Sequence, residues 1–150
     1  MSNNDATVQE NEVRPQRTNY FDVGSFHCKF NLPFVSVTRP PTPTLLDGDT
    51  YDFRVNFLFE ELHEFTTSHR AGDLAKAADA LIDLVYVAMG TAQMMQLPWQ
   101  ELWNEVQRAN MAKQRAINPS ESKRGSALDV IKPPGWTPPN IEGILAKYLR

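Results

Sequence analysis

The chain reads as an all-α protein, an antiparallel helical bundle. Apolar residues recur at three- and four-residue spacing from about residue 50 to 70 and again from 74 to 95, and no stretch alternates convincingly as a strand would. The breaks between periodic stretches are Pro and Gly: Pro33, the run from Pro40 to Pro43, Gly72 and Pro98. With 150 residues and 41% hydrophobic composition, one domain around a single core is expected.

Residues 1–19 form a polar stretch rich in Asn, Glu, Gln and Arg, expected to be a mobile tail, with the domain spanning 20–150. A short helix is expected from Tyr20 or Phe21 to Phe30, with Phe21, Phe26 and Phe30 as its apolar positions, ended by Asn31 and Pro33. Val35 to Leu46 cannot be a helix interior and reads as an extended connector. Asp49 or Thr50 can cap a second helix running to His69 or Arg70, with Phe53, Phe57, Leu58, Leu62 and Phe65 on its apolar stripe. Gly72 stops it and Asp73 caps a third helix, Leu74 to about Met95, the most apolar of the set.

Pro98 suits the first turn of a fourth helix reaching roughly Ala116 through Trp99, Leu102, Trp103 and Val106. From Asn118 to Pro139 no period is visible. Asn140 can cap a last short helix to about Leu149, with Glu142 favourable in its first turn and Gly143 unfavourable.

The formal net charge of −3 argues against nucleic-acid binding as the main function, but leaves an anionic small substrate open. Cys28 is alone, so neither an intramolecular disulfide nor a Cys/His metal site is expected. No apolar run resembles a signal peptide or a membrane span, and a soluble cytoplasmic protein is the expectation.

The chemistry lies in the carboxylates of the second and third helices. Glu60, Glu61 and Glu64 sit in Phe-Leu-Phe-Glu-Glu-Leu-His-Glu-Phe; Asp79 and Asp83 sit in Ala-Asp-Ala-Leu-Ile-Asp-Leu-Val-Tyr. Glu61 and Glu64 share a helical face, as do Asp79 and Asp83. A tight Arg70-Ala71-Gly72-Asp73 link makes the two helices an antiparallel hairpin with facing acidic turns. Several carboxylates cannot stay ionised at close range without a cation, and a hard divalent ion is the simplest partner. Solvated charges on a helix face are the plainer reading of the same residues.

With these residues in place, the chain resembles the MazG-like superfamily of all-α nucleoside triphosphate pyrophosphohydrolases. Glu60-Glu61-x-x-Glu64 followed by an acidic helix ending Asp83-Leu-Val-Tyr resembles that superfamily's EExxE and ExxD pair, and Asn110-Met-Ala-Lys113 resembles its phosphate-contacting run. The tail from Lys123-Arg124-Gly125 to Lys132-Pro-Pro-Gly-Trp is similar to small phage-type members. The second motif departs from the pattern: Ala80 stands where Glu is expected, and Asp79 is taken as its substitute.

The resemblance implies hydrolysis of a nucleoside triphosphate to the monophosphate and pyrophosphate, with Mg²⁺ (or Mn²⁺ in its place) held by Glu61, Glu64, Asp79 and Asp83. Glu60 would orient or deprotonate the water, and Asn110 and Lys113 would stabilise the leaving pyrophosphate. Lys123, Arg124 and Lys132 would close over the phosphates. Phe26, His27, Phe30, Asn31, Arg54 and Tyr86 would meet the nucleotide, although as plain helix positions Phe26 and Phe30 read as core and His27 as exposed. The resemblance further implies central helices packed between subunits, so a homodimer or homotetramer. A purine deoxynucleotide (dGTP or dATP), in nucleotide-pool control, is the expected substrate. The alternatives are phosphoribosyl-ATP pyrophosphohydrolase activity and a non-catalytic helical nucleotide-binding or interaction module, which Ala80 would suit.

Overall fold

The computed structural model describes residues 17–149. Of the expected N-terminal tail, residues 1–16 lie outside the described residues. The architecture is all-α: α1 (Asn19–Lys29), α2 (Gly48–Arg70), α3 (Leu74–Met94), α4 (Trp99–Met111) and α5 (Ile141–Leu145), with a 3-10 turn at Pro119–Glu121 and two short strands, β1 (Gln114–Arg115) and β2 (Val130–Ile131).

The centre is the α2–α3 antiparallel hairpin, with α1 laid on α3. Local chemistry sets its ends. The Asp47 carboxylate accepts from the Thr50 amide at 2.9 Å, so the cap is Asp47 rather than Asp49 or Thr50 and α2 starts at Gly48, two residues ahead of the earliest expected start. At the turn, Gly72 adopts a φ of +73°, which only Gly reaches without steric cost, and Asp73 caps α3 by accepting from the Lys76 amide at 3.0 Å. Ala77 and Ala80 are buried on α3, and such small side chains let two helix backbones approach closely. Gln93, buried on α3, fastens the third layer: its Nε2 donates to the Tyr20 carbonyl at 3.0 Å, and its Oε1 accepts from the Val35 amide at 2.8 Å. The connector after α1 is irregular, as expected, and returns to α3 where the Thr44 amide donates to the Met95 carbonyl at 3.0 Å.

Burial departs from the stripes expected of single helices. On α1 the buried residues are Val23 and His27, while Phe21, Phe26 and Phe30 are exposed. On α2 they are Arg54 and Glu61, while Phe53 and Leu62 are exposed. On α3, Leu81, Ile82 and Val85 face outward. A helix stripe records which side is apolar, but the contacts available decide which side is covered.

The C-terminal third differs most from expectation. The α4 helix ends at Met111 rather than near Ala116, because the chain turns into β1, which pairs antiparallel with β2 (Gln114 opposite Ile131, Arg115 opposite Val130). The α5 helix stops at Leu145, short of Leu149, although Asn140 caps it as expected by accepting from the Gly143 amide at 3.0 Å. Trp136 pins this segment to α4 by donating from Nε1 to the Ala109 carbonyl at 2.7 Å, and Tyr20 stacks on Trp99 at 5.1 Å to join α4 to α1.

Asp129 locks the loop between the strands. Its carboxylate accepts from the Ser122 hydroxyl, the Val130 amide and Arg124, which hold its pKa down to about 2 from 3.8. A carboxyl depressed on folding adds stability that is present above pH 3.8 and lost as pH falls towards about 2. Protection of the Ala116 and Val130 amides, relative to their intrinsic exchange at each pH, is therefore expected to fall across that window in the wild type. An Asp129→Asn variant should exchange fast throughout; equally slow exchange in the variant would remove Asp129 from this role.

Candidate functional site

The α2–α3 hairpin and α1 enclose a cleft of about 560 Å³ lined by Phe26, His27, Leu32, Phe53, Arg54, Phe57, Glu61, Asp83, Tyr86, Val87 and Met94. One end is acidic and the other aromatic. At the acidic end Glu61 is only 8% exposed. Its carboxyl is pushed up from 4.5, first by burial and then by the negative charges of Asp83, Glu64, Glu60 and Asp79. All four neighbouring carboxylates thus push the Glu61 carboxyl in the same direction as its burial does.

Glu64 and Asp79 face an adjoining depression of about 440 Å³, with His63, Thr67, Ser68 and Lys76. The four expected ligands thus fall into two pairs along one hairpin face: Glu61 with Asp83, and Glu64 with Asp79. Ala80 is 2% exposed in the helix interface, so Asp79 stands one position round the helix from the site the motif Glu would take. As the side chains stand, no group of three or more His, Cys, Asp or Glu residues among the described residues closes into an ion-binding arrangement. The chemistry of the donor set nevertheless fits a hard divalent ion: several carboxylates, one of them buried and raised by that burial and by its acidic neighbours.

The aromatic end stands on Arg54 and His27. Arg54 is 6% exposed; it donates from Nη2 to the Val87 carbonyl at 2.6 Å and from Nε to Thr91 Oγ1 at 3.1 Å, and lies 5.5 Å from the Phe57 ring centre. His27, expected to be exposed, is 3% exposed, because α1 turns it inward against α3. Phe26 is 42% exposed rather than core and meets Tyr86 edge-on at 5.5 Å. Phe30 packs on Phe26 at 4.6 Å; neither it nor Asn31, which adopts a φ of 55° at the end of α1, lines the cleft. Sequence reasoning missed the part played by Gly90 and Thr91: the Gly90-Thr91 pair inside an apolar helix is the signal, a residue without a side chain followed by a hydrogen-bonding one.

The basic residues gather elsewhere. Lys113, Lys123, Arg124 and Lys132 line a separate cavity of about 440 Å³ at the strand pair, and none of them lines the acidic cleft. Lys113 donates to Asn110 Oδ1 at 2.8 Å, and Lys132 sits 4.3 Å from the Trp136 ring centre. The expected meeting of Asn110 and Lys113 with the carboxylates does not occur within this cleft. The reason is topological: the end of α4 is tied to the C-terminal segment, not to the hairpin.

No helix among the described residues is long and apolar enough to cross a membrane. The family model described as phosphoribosyl-ATP pyrophosphohydrolase (PRA-PH) matches residues 23–110. That stretch is more than half of the chain and holds all five carboxylates, and it stops short of Lys113 and the strand pair. No curated protein matches the chain.

Proposed function

The chain belongs to the phosphoribosyl-ATP pyrophosphohydrolase family, within the MazG-like all-α pyrophosphohydrolases, and from that premise we propose that its acidic cleft hydrolyses an α–β phosphoanhydride. The products are a nucleoside monophosphate and pyrophosphate. The observation that carries this is the buried Glu61 facing Asp83 at one end of a nucleotide-sized cleft whose other end is aromatic.

Glu61, Glu64, Asp79 and Asp83 are the residues to hold Mg²⁺, or Mn²⁺ in its place. Bound there, such an ion supplies charge neutralisation at the phosphates and a more acidic water. Glu60, exposed beside Glu61 and lining neither the cleft nor the adjoining depression, would orient the attacking water and take its proton. Phe26 and Tyr86 offer ring faces and edges to the base, away from the reacting phosphorus. Lys113, Lys123, Arg124 and Lys132 are proposed to neutralise the departing pyrophosphate after the C-terminal segment, or that of a second copy, comes over the cleft. Residues 20–150 act as one unit in this reading. The exposed Phe59, Leu81, Ile82 and Val85 on the hairpin support a homodimer or homotetramer.

Phosphoribosyl-ATP is the first substrate to test, because the matched family carries that name. A purine deoxynucleotide, in cytoplasmic pool control of the phage type, is the second. Incubation with Mg²⁺ and phosphoribosyl-ATP or each deoxynucleoside triphosphate should release monophosphate and pyrophosphate in equal amounts. Turnover of one substrate class alone decides between the readings. Orthophosphate release would sink the mechanism, and binding without turnover would leave a nucleotide-binding module.

A further inference from the structure

Away from the acidic cleft, the strand pair brings like charges face to face. Its register sets Gln114 opposite Ile131, so one step further along Lys113 stands opposite Lys132. Like charges directly opposite each other on antiparallel strands weaken the pairing. Both ammoniums are nevertheless held against one wall, the Trp136 ring: Lys132 Nζ lies 4.3 Å and Lys113 Nζ 5.9 Å from its centre. An aromatic ring attracts an ammonium without neutralising it. Trp136 is itself fixed by its hydrogen bond to the Ala109 carbonyl.

These two lysines line the cavity of about 440 Å³ together with Lys123 and Arg124. Its two carboxylates are engaged by the surrounding loop. Asp129 accepts both hydrogen bonds donated by Arg124 Nη1, at 2.8 and 2.9 Å, and one from the Ser122 hydroxyl. Glu121 accepts from the Ile117 amide at 2.9 Å. Among the described residues no carboxylate lies within ion-pair distance of Lys113, Lys123 or Lys132. Three ammoniums thus share one cavity with no carboxylate paired to any of them, on a chain whose formal net charge is −3. All three lie beyond the matched family stretch, which ends at residue 110.

We propose that this cavity is a binding site for a compact polyphosphate, pyrophosphate above all, and that it needs neither the acidic cleft nor a metal ion. An oxyanion between Lys113 and Lys132 replaces their repulsion with charge-assisted hydrogen bonds. A diphosphate carries terminal oxygens on two phosphorus atoms. One phosphate sits between Lys113 and Lys132 while the other meets Lys123, whereas orthophosphate serves one end alone. The site goes beyond the hydrolytic reading and does not rest on it: the strand pair and Trp136 form it before any movement over the cleft.

The test is calorimetry of the full chain with pyrophosphate in EDTA, so that no metal-bound phosphate contributes. Pyrophosphate should bind, and orthophosphate and sulfate should bind about 10-fold or more weakly. Lys123 and Lys132 are exposed, and Lys123→Gln and Lys132→Gln should each weaken pyrophosphate binding about 10- to 100-fold. Glu61→Gln, in the cleft, should leave the affinity within about twofold. In the wild type the indole ¹⁵N–¹H resonance of Trp136 should move on binding while those of Trp99 and Trp103 stay. Absence of binding without metal, equal affinity for the three anions, lysine variants that bind as the wild type does, or an unmoved Trp136 resonance overturns the proposal. Loss of binding in Glu61→Gln also overturns it, by placing pyrophosphate in the acidic cleft. The wild-type measurements stand even if a variant folds poorly, and turnover at the cleft bears on none of them.

Discussion

Glu61→Gln should abolish most pyrophosphate release and at the same time make the metal-free protein more stable. The substitution keeps the shape of the side chain and removes its charge. Turnover should fall by about 10³-fold, the scale expected when one preorganised electrostatic group is lost. Stability should move the other way. The Glu61 carboxyl has its pKa raised on folding, so its contribution is full below its unfolded value of 4.5 and is lost as pH rises through the raised folded value. At neutral pH the ionised group works against the fold, and Gln relieves it. The metal-free variant should melt about 2–4 °C above the wild type at pH 7, with the difference vanishing in acid. Added Mg²⁺ should raise the melting temperature of the wild type more than that of the variant. Unchanged turnover would remove Glu61 from the site, and a lower melting temperature would show that repulsion by its acidic neighbours is not the dominant effect.

Gly90→Ala carries the second large effect. The new methyl would sit within 3.0 Å of His27 Nε2 and Arg54 Nη2, at 2.8 and 2.9 Å. The tips of long side chains can usually give way, but these two are held: His27 by Pro33, and Arg54 by Val87 and Thr91. Relief therefore breaks a hydrogen bond or moves α1 off α3. The expected loss is about 1–3 kcal/mol of folding free energy, the usual range for overpacking. Nucleotide affinity should weaken as well, because both displaced side chains line the cleft. Denaturant unfolding and calorimetry measure the two effects. A Gly90→Ala variant with wild-type stability and affinity would show that the contact is loose.

The acidic pattern was legible because it is local. Glu60, Glu61 and Glu64 fall within one turn, and helical spacing alone puts Glu61 and Glu64 on one side. The hairpin was legible through Gly72 and Asp73, whose conformational and capping preferences need no distant partner. The burial of His27 was not legible: it depends on α3 presenting a glycine at position 90, more than sixty positions away in the chain. Neither was the split between Glu61–Asp83 and Glu64–Asp79, which depends on the rotation of two packed helices rather than on spacing within either.

By itself the sequence determined the helical class, the order and approximate ends of α1 to α3, and the concentration of carboxylates on one hairpin. Helix hydrogen bonds join residues four apart, and caps and glycine stops act within a few positions, so that information is written locally. Only the tertiary structure decided that Arg54 and Glu61 are buried while Phe53 and Leu62 are not, that α4 ends at Met111, that Gln114–Arg115 pairs with Val130–Ile131, and that Lys113, Lys123 and Lys132 gather in a cavity apart from the Glu61–Asp83 cleft. Each of these is a contact between residues distant in the chain, where burial and strand pairing are settled by what the fold brings alongside.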